Sequence, residues 1–487
     1  MTEIYGNTAR NLIWLGAPAS DEEADANVRS LMEVWAHLQK RTDNCDRFFD
    51  TVMQARGHAP KEGRLPDGAD LIALQRFYDC PWFTRLWVVQ EAALPPRSQC
   101  HYGEHAIDLT TVTRVAVWLR PEFQAAKLAR VSTNCDTCLR NAARIWSYSD
   151  ETQNSDPKDS RSTALGDLLT HLNGFEAFDP RDHVYAMIGL YQRFNGHGSP
   201  ASLLLKPDYS KPLSDVLRDT TFYVLRETRT LDCLRDLQLQ PDSVQTADVV
   251  PSWIPRWHST WWSDDHPQPL AHRFRSCGTH EQCSIRELVQ AGGNSDPNIL
   301  CVEGTSMDIV STVWADPPEY SPREERVRLC RQVQSALRSL EYNEAQAERL
   351  LATTLVAGED ATWNPIKTRA AVKGFREWSL SEDESTRSGA RQHHMQEGYA
   401  DALRRAWRSR SVFLTECGRL GLGPKMLAAG DVVTILWGCV WPVVLRPLPH
   451  SPLYLVVGMA YVHGIMNGSA IKGFDATAAN PEVFQLR

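Results

Sequence analysis

The sequence has no long apolar run, no marked excess of charge of either sign and no glycine-rich phosphate loop. Each absence removes a class of protein. The longest apolar stretch, Val432 to Leu445, falls short of the ~20 residues that a membrane-crossing helix requires, and Gly438 and Pro442 interrupt it. It predicts paired buried strands around a turn. With 52 basic against 60 acidic residues the formal net charge is −8, which gives no electrostatic ground for a nucleic acid or an anionic membrane as partner. The basic cluster Arg404, Arg405, Arg408, Arg410 reads as the solvated face of a helix. The stretch Met1 to Arg10 has no apolar segment of the leader type. Twelve cysteines are scattered without a dense framework, the pattern of reduced thiols. A Gly-x-Ser-x-Gly elbow and a His-Glu-x-x-His helix are both missing. A cytoplasmic protein with no nucleic-acid partner and no membrane span is the expectation.

What is present is globular. Hydrophobic residues make up 42% and charged residues 23% of the 487 positions, far from a disordered composition, and the length suits two or three domains. Asn11 to Leu15 reads as a strand stopped by Gly16 and Pro18. Ser20 and Glu23 then form a capping box, and Val28, Leu31, Trp35 and Leu38 recur at helical spacing. Gly57 to Gly68 reads as a loop and Leu71 to Phe77 as a short helix. The segment Asp79 to Leu94 predicts a helix with Pro81 in its first turn and Pro95-Pro96 beyond its end. On such a helix Phe83, Trp87 and Glu91, four apart, share a face. An aromatic face running into a carboxylate is unusual, because apolar surroundings penalise the ionised form. Cys100 to Tyr102 and His105 to Ile107 flank Gly103-Glu104 as a hairpin. Asp179-Pro180-Arg181-Asp182 opens a further helix, and another follows Pro207 to Ser210. Polar linkers are expected near 242–248 and 379–396, and the last hundred residues are rich in strand patterns.

Several segments, in order, resemble the heterokaryon-incompatibility (HET) domain proteins of filamentous fungi. Glu3 to Ala9 followed by Leu12 to Gly16 looks like that family's helix-then-strand element. Trp82-Phe83-Thr84-Arg85-Leu86-Trp87-Val88-Val89-Gln90-Glu91 is similar to the motif that closes the HET domain. Asp179 to Tyr185, Asp208-Tyr209-Ser210, Pro251 to Trp257, Gly430 to Val433 and Tyr461 to Met466 resemble segments that follow it. One departure accompanies the match. The family's opening strand, with a Ser-Tyr-x-Trp-Gly-like element, and its next strand, with a Trp-Ile-Asp-x-x-Cys-Ile-x-Gln-like element, are not found. The expectation is that Met1 sits within the HET domain, through a late gene start or a natural truncation.

The resemblance implies a fold and a chemistry. The expected fold is α/β, a partial segment similar to Toll/interleukin-1 receptor (TIR) domains, followed by a mixed α+β region ending in antiparallel strands. The expected parts are 1–94 for the HET segment, 95–235 for a helical HET-associated region, and 236–487 for an α+β region with a strand-rich end. Some TIR enzymes cleave the nicotinamide–ribose bond of NAD with a glutamate placed four residues after a tryptophan. Trp87 and Glu91 have that spacing, so Glu91 is the candidate catalytic residue and Trp87 its supporting one. A carboxylate beside the ribose would stabilise the positive charge built up on the sugar. NAD is then a candidate substrate, and no bound cofactor or metal is expected. The bland alternative is that Glu91 caps a packing face or pairs with Arg85 or another cation.

Other constellations are weaker. Cys135-x-x-Cys138 and Cys277-x-x-His280-x-x-Cys283 have metal-ligand spacings, but a structural zinc needs four converging ligands. A nucleophile pair of Cys100 with His101 or His105 is unsupported, since adjacent strand residues face opposite sides. His463 reads as a hydrogen-bonded strand or turn histidine, and the tryptophans 253, 257, 261 and 262 as loop anchors. Three functions follow: a self/non-self recognition and cell-death effector acting with other proteins of such a pathway; an enzyme, cleaving NAD or recruited to a secondary-metabolite gene cluster; or an inactive paralogue.

Overall fold

A computed structural model describes residues 2–41, 65–126, 133–149, 164–195, 205–237, 239, 250–258, 274–278, 296–315, 323–361, 364–380, 393–471 and 481–487. The contacts divide the chain into two compact units, 1–216 with 257–261, and 217–256 with 262–487. The expected linker around 242–248, the tryptophans at 261 and 262, and His280 and Cys283 lie outside the described residues.

In the first unit a one-turn helix α1 (Thr2–Gly6) leads into strand β1 (Asn11–Gly16). Helix α2 (Asp21–Arg41) starts where Ser20 Oγ accepts from Glu23 N at 3.2 Å, and three acidic residues occupy its first turn, where they complement the helix dipole. Its buried stripe runs Val28, Leu31, Val34 and Leu38, with Trp35 only half-buried. Helix α3 (Leu71–Tyr78) is capped by Asp70, whose side chain accepts from Ile72 N.

The segment 79–94 is not one helix. Pro81–Thr84 form a single 3-10 turn, Arg85 is extended, and helix α4 (Val88–Ala93) begins afresh. The break has a partner. Leu86 N donates to Glu176 O at 2.8 Å and Glu176 N to Thr84 O at 2.6 Å, so Arg85 and Glu176 form an isolated parallel bridge. Two backbone hydrogen bonds from a segment ninety residues away replace the helical ones that Arg85 would otherwise support.

Strands β2 (Ser98–Tyr102) and β3 (His105–Asp108) make the expected hairpin, turned at Gly103 with φ +56°. β2 also pairs with β1 in parallel, giving the order β1-β2-β3. Among the described residues β2 is the one strand beside β1. Alternation puts Ile13 and Leu15 into the core and leaves Leu12 and Trp14 exposed. Helices α5 (Leu109–Ala126), α6 (Thr133–Ser149), α7 (Leu165–His171) and α8 (Asp182–Asn195) complete the unit. α9 (Leu213–Thr228) carries the chain onward.

Among the described residues, the second unit combines a strand barrel with four helices that follow its first strand. Strand β4 (Leu300–Trp314) is followed by α10 (Arg323–Ser339), α11 (Glu344–Thr354), α12 (Thr368–Leu380) and α13 (His393–Trp407). The last two helices run into both ends of the expected linker at 379–396. Strands β5 (Arg410–Thr415), β6 (Leu420–Pro424), β7 (Val432–Leu436), β8 (Val443–Pro447), β9 (Leu453–Met459), β10 (Tyr461–Val462) and β11 (Glu482–Leu486) follow. β4 is long enough to serve three neighbours in turn. Leu300–Gly304 pairs with β11, Gly304–Ile309 with β7 and Val310–Trp314 with β5. The β4–β7 pairing closes a ring β4-β11-β9-β8-β7, which removes the unpaired edges of an open sheet. The ladders are antiparallel except β9 with β11. Val310, Phe413, Val433, Val444, Val457 and Val462 fill the barrel core. The apolar run 432–445 is the β7–β8 pair, as its composition predicts.

Candidate functional site

Glu91, half-buried on α4, is approached from three other elements. From the 3-10 turn the buried Trp82 donates Nε1–H to Glu91 Oε2 at 3.2 Å. From α1 the half-buried Tyr5 lies within electrostatic reach of the same carboxylate. From β1 Asn11 donates Nδ2–H to the Glu91 carbonyl oxygen at 2.7 Å. Partial burial raises the Tyr5 phenol above its ordinary value, the Glu91 carboxylate adds to this, and the exposed Arg85 works against it. Among the described residues Glu91 enters no ion pair, so the expected alternative of a bond with Arg85 is not the arrangement found.

Trp87 points elsewhere. Its Nε1–H donates to Asp182 Oδ2 at 3.2 Å, at the start of α8. The expected stack of Phe83, Trp87 and Glu91 does not form, because the helix it needs is broken at Arg85. The same break brings Trp82 to Glu91. Nine residues along an unbroken helix would hold them roughly 13 Å apart.

Asp182 is the hub of a second network. Tyr209 donates its hydroxyl to Asp182 Oδ1 at 2.6 Å, and Tyr185 donates to the Asp208 carbonyl at 2.7 Å. Arg181 grips Asp179 through Nε at 2.9 Å and Nη2 at 2.7 Å, while Nη1 donates to the carbonyls of Tyr209 at 2.6 Å and Lys211 at 3.0 Å. Its guanidinium lies 5.4 Å from the Tyr209 ring centroid, within cation–π range. The Arg181 hydrogen bond holds the Asp179 carboxyl below its usual value. Gln90 Nε2 donates to Ala186 O at 2.7 Å. Trp87 and Gln90 therefore fasten the Trp82–Glu91 segment to α8, while Glu91 faces α1. Sequence reasoning missed Tyr5, Trp82 and Asp182 as partners. All three lay inside quoted motifs, but no periodicity joins them to Glu91 or Trp87.

The remaining candidates are structural in their contacts. Cys80, Cys100, Cys135 and Cys138 are buried. Burial pushes the Cys80 and Cys138 thiols up to about 12 and raises Cys100 as well, a state unsuited to nucleophilic attack. Among the described residues no group of three or more His, Cys, Asp and Glu side chains is placed to hold a metal ion. His463 Nδ1 lies 3.4 Å from the Tyr461 hydroxyl. Trp253 and Trp257 are buried. The basic cluster divides. Arg404 is exposed beside Asp401, whereas Arg405 donates to the carbonyls of Asp360 and Ala361. Arg410 opens β5 and is not on the helix at all. Burial lowers it to about 10, against the pull of Glu359. A wholly solvated face is therefore not what forms.

Residues 1–91 match the family described as heterokaryon incompatibility protein (HET), and residues 377–476 match the Het-6 beta-barrel domain. The first match ends at Glu91. A HET segment and a Het-6 barrel domain matched in one chain support a fungal HET-domain protein. It is similar to Heterokaryon incompatibility protein 6, OR allele, of Neurospora crassa, at 23% identity over 96% of this chain and 78% of that protein. No solved structure matches it. The barrel match spans β5 to β10, whereas β4 and β11, which close the ring, lie outside it.

Proposed function

We propose that the chain is a heterokaryon-incompatibility effector, acting in self/non-self recognition and cell-death signalling with other proteins of such a pathway in the cytoplasm. The observation that carries this reading is a HET segment and a Het-6 barrel in one chain, in the company of an incompatibility protein similar along nearly the whole length. No helix among the described residues is long and apolar enough to cross a membrane. Overexpression in a filamentous fungal host is expected to arrest growth. Normal growth at high expression would point instead to the inactive-paralogue reading.

A second reading assigns Glu91 to cleavage of NAD at the nicotinamide–ribose bond. The observation behind it is a half-buried carboxylate set against an indole, with no ion pair to it among the described residues. Such a group stabilises a developing sugar cation more strongly than one in bulk water does. The purified chain is expected to release nicotinamide from NAD, and Glu91→Gln to stop the release. Absence of release from the parent chain removes this reading and leaves the first intact.

A further inference from the structure

Strand β1 has an open side. In its parallel ladder Asn11 pairs with Ser98 and Ile13 with Cys100, and Asn11 N donates to Arg97 O at 2.8 Å. The backbone groups of Asn11, Ile13 and Leu15 therefore point towards β2. Those of Leu12 and Trp14, which alternate with them, point the other way. Among the described residues no strand and no backbone hydrogen bond meets them there. The side chains of the same two residues are 65% and 59% exposed. A parallel ladder is ordinarily covered on both faces, and an open edge is ordinarily guarded by a charge, a proline or a bulge. From Asn11 to Leu15 the strand carries neither charge nor proline. Its irregularity in register comes only at the end, between Trp14 and Gly16.

We propose that this edge pairs with the same edge of a second copy, β1 running antiparallel to β1, and joins two three-stranded sheets into one of six strands. The register follows from the edge itself. Leu12 and Trp14 each present one donor and one acceptor on the open side, and facing residues of an antiparallel pair exchange both bonds. Setting Leu12 against the partner's Trp14, and by the two-fold axis Trp14 against the partner's Leu12, uses every one of these groups. The same register lays each exposed indole across from an exposed leucine, with the two indoles on a diagonal within aromatic reach. Arg10, the nearest charge, falls opposite the partner's Gly16 and meets no like charge. The strip is thus complementary to itself, the condition for a closed two-fold interface. Its area sets the strength. Trp14 leaves about 150 Å² and Leu12 about 100 Å² to be covered, so two copies bury roughly 500 Å² of side chain and a strip of backbone besides. That is below the roughly 1,200–2,000 Å² of a stable interface, and the dimer is of the weak, concentration-dependent kind.

The test is sedimentation of the full chain over a concentration series, with amide hydrogen exchange read by mass spectrometry on the peptide that spans β1. A monomer–dimer equilibrium with a Kd of about 10–100 μM is expected. Exchange in the β1 peptide should be slower at the dimeric end of the series than at the monomeric end, because the Leu12 and Trp14 amides gain acceptors only in the dimer. Trp14→Lys removes the apolar pairs and sets two ammonium groups on the diagonal. Leu12→Pro removes an outward N–H from each copy and leaves the ladder to β2 in place. Each substitution should raise the Kd about tenfold or more. A monomer at every concentration overturns the proposal and leaves the edge to a strand of another protein. An unchanged Kd in either variant that melts with the parent overturns it as well, and so does equal exchange at the two ends of the series. If Leu12→Pro melts early, Trp14→Lys and the exchange of the parent chain decide.

Discussion

His183 separates burial from charge most clearly. It sits on α8, 5% exposed, one residue beyond the Asp182 hub, and its Nδ1 has no hydrogen-bond partner. Burial, reinforced by the nearby His258 and opposed by Asp182, lowers it from the ordinary 6.5 to about 4. A base whose folded value is depressed stays neutral in the native state while the unfolded chain takes up the proton. Its contribution is therefore fully present above pH 6.5 and is lost as the pH falls from there towards 4. We expect urea unfolding of the parent to lose up to about 3 kcal/mol more between pH 7 and pH 4 than that of His183→Gln. Parallel pH profiles for the two proteins would mean that His183 is hydrated in the native state. The same logic explains the cysteines. Thiols raised by burial act as small apolar side chains, so their motif-like spacing carries no reactivity.

At the scale of elements, two short segments decide more than the long helices do. The extended residue Arg85 turns one predicted helix into a 3-10 turn and a separate helix, and so sends Trp82 and Trp87 to different partners. The five-residue strand β11 closes the barrel between β4 and β9. Its inward residues Phe484 and Leu486 are buried, and Arg487 beyond it bonds Tyr454 O through its amide and Ser252 through its carbonyl. Deleting residues 481–487 opens the ring on one side and uncovers the edges of β4 and β9. From the two buried side chains alone the loss should be about 4 kcal/mol, seen as a lower urea midpoint together with new binding of a hydrophobic dye. A deletion variant with the parent's midpoint would show that the β4–β7 ladder alone sustains the barrel.

For the molecule as a whole, the division into two units follows the two matched families only loosely. The HET match runs from α1 into α4 of the first unit, and α5 to α8 lie beyond it. What joins them is the Asp182 network, in which the Asp179–Tyr185 and Asp208–Ser210 motifs meet Trp87. The order of the motifs along the chain thus has a spatial meaning within this unit. In the second unit, β4 reaches the barrel from residues preceding all four helices, so the helices are an insertion between a first strand and its partners.

The sequence by itself determined what local chemistry controls. It located the Gly103 hairpin, the Ser20 cap, the helix after Asp179, the β7–β8 pair and the family, because caps, turns and alternation act over a few residues. It could not say that Arg85 is extended, since that depends on Glu176, or that Arg410 is buried, since that depends on the fold around Glu359. Nor could it show which tryptophan meets Glu91. Helical spacing favoured Trp87, and the tertiary structure gives the Glu91 carboxylate to Trp82. The reason is physical: a backbone hydrogen bond to a distant segment is worth as much as a local one, and only the folded chain decides which of the two is made.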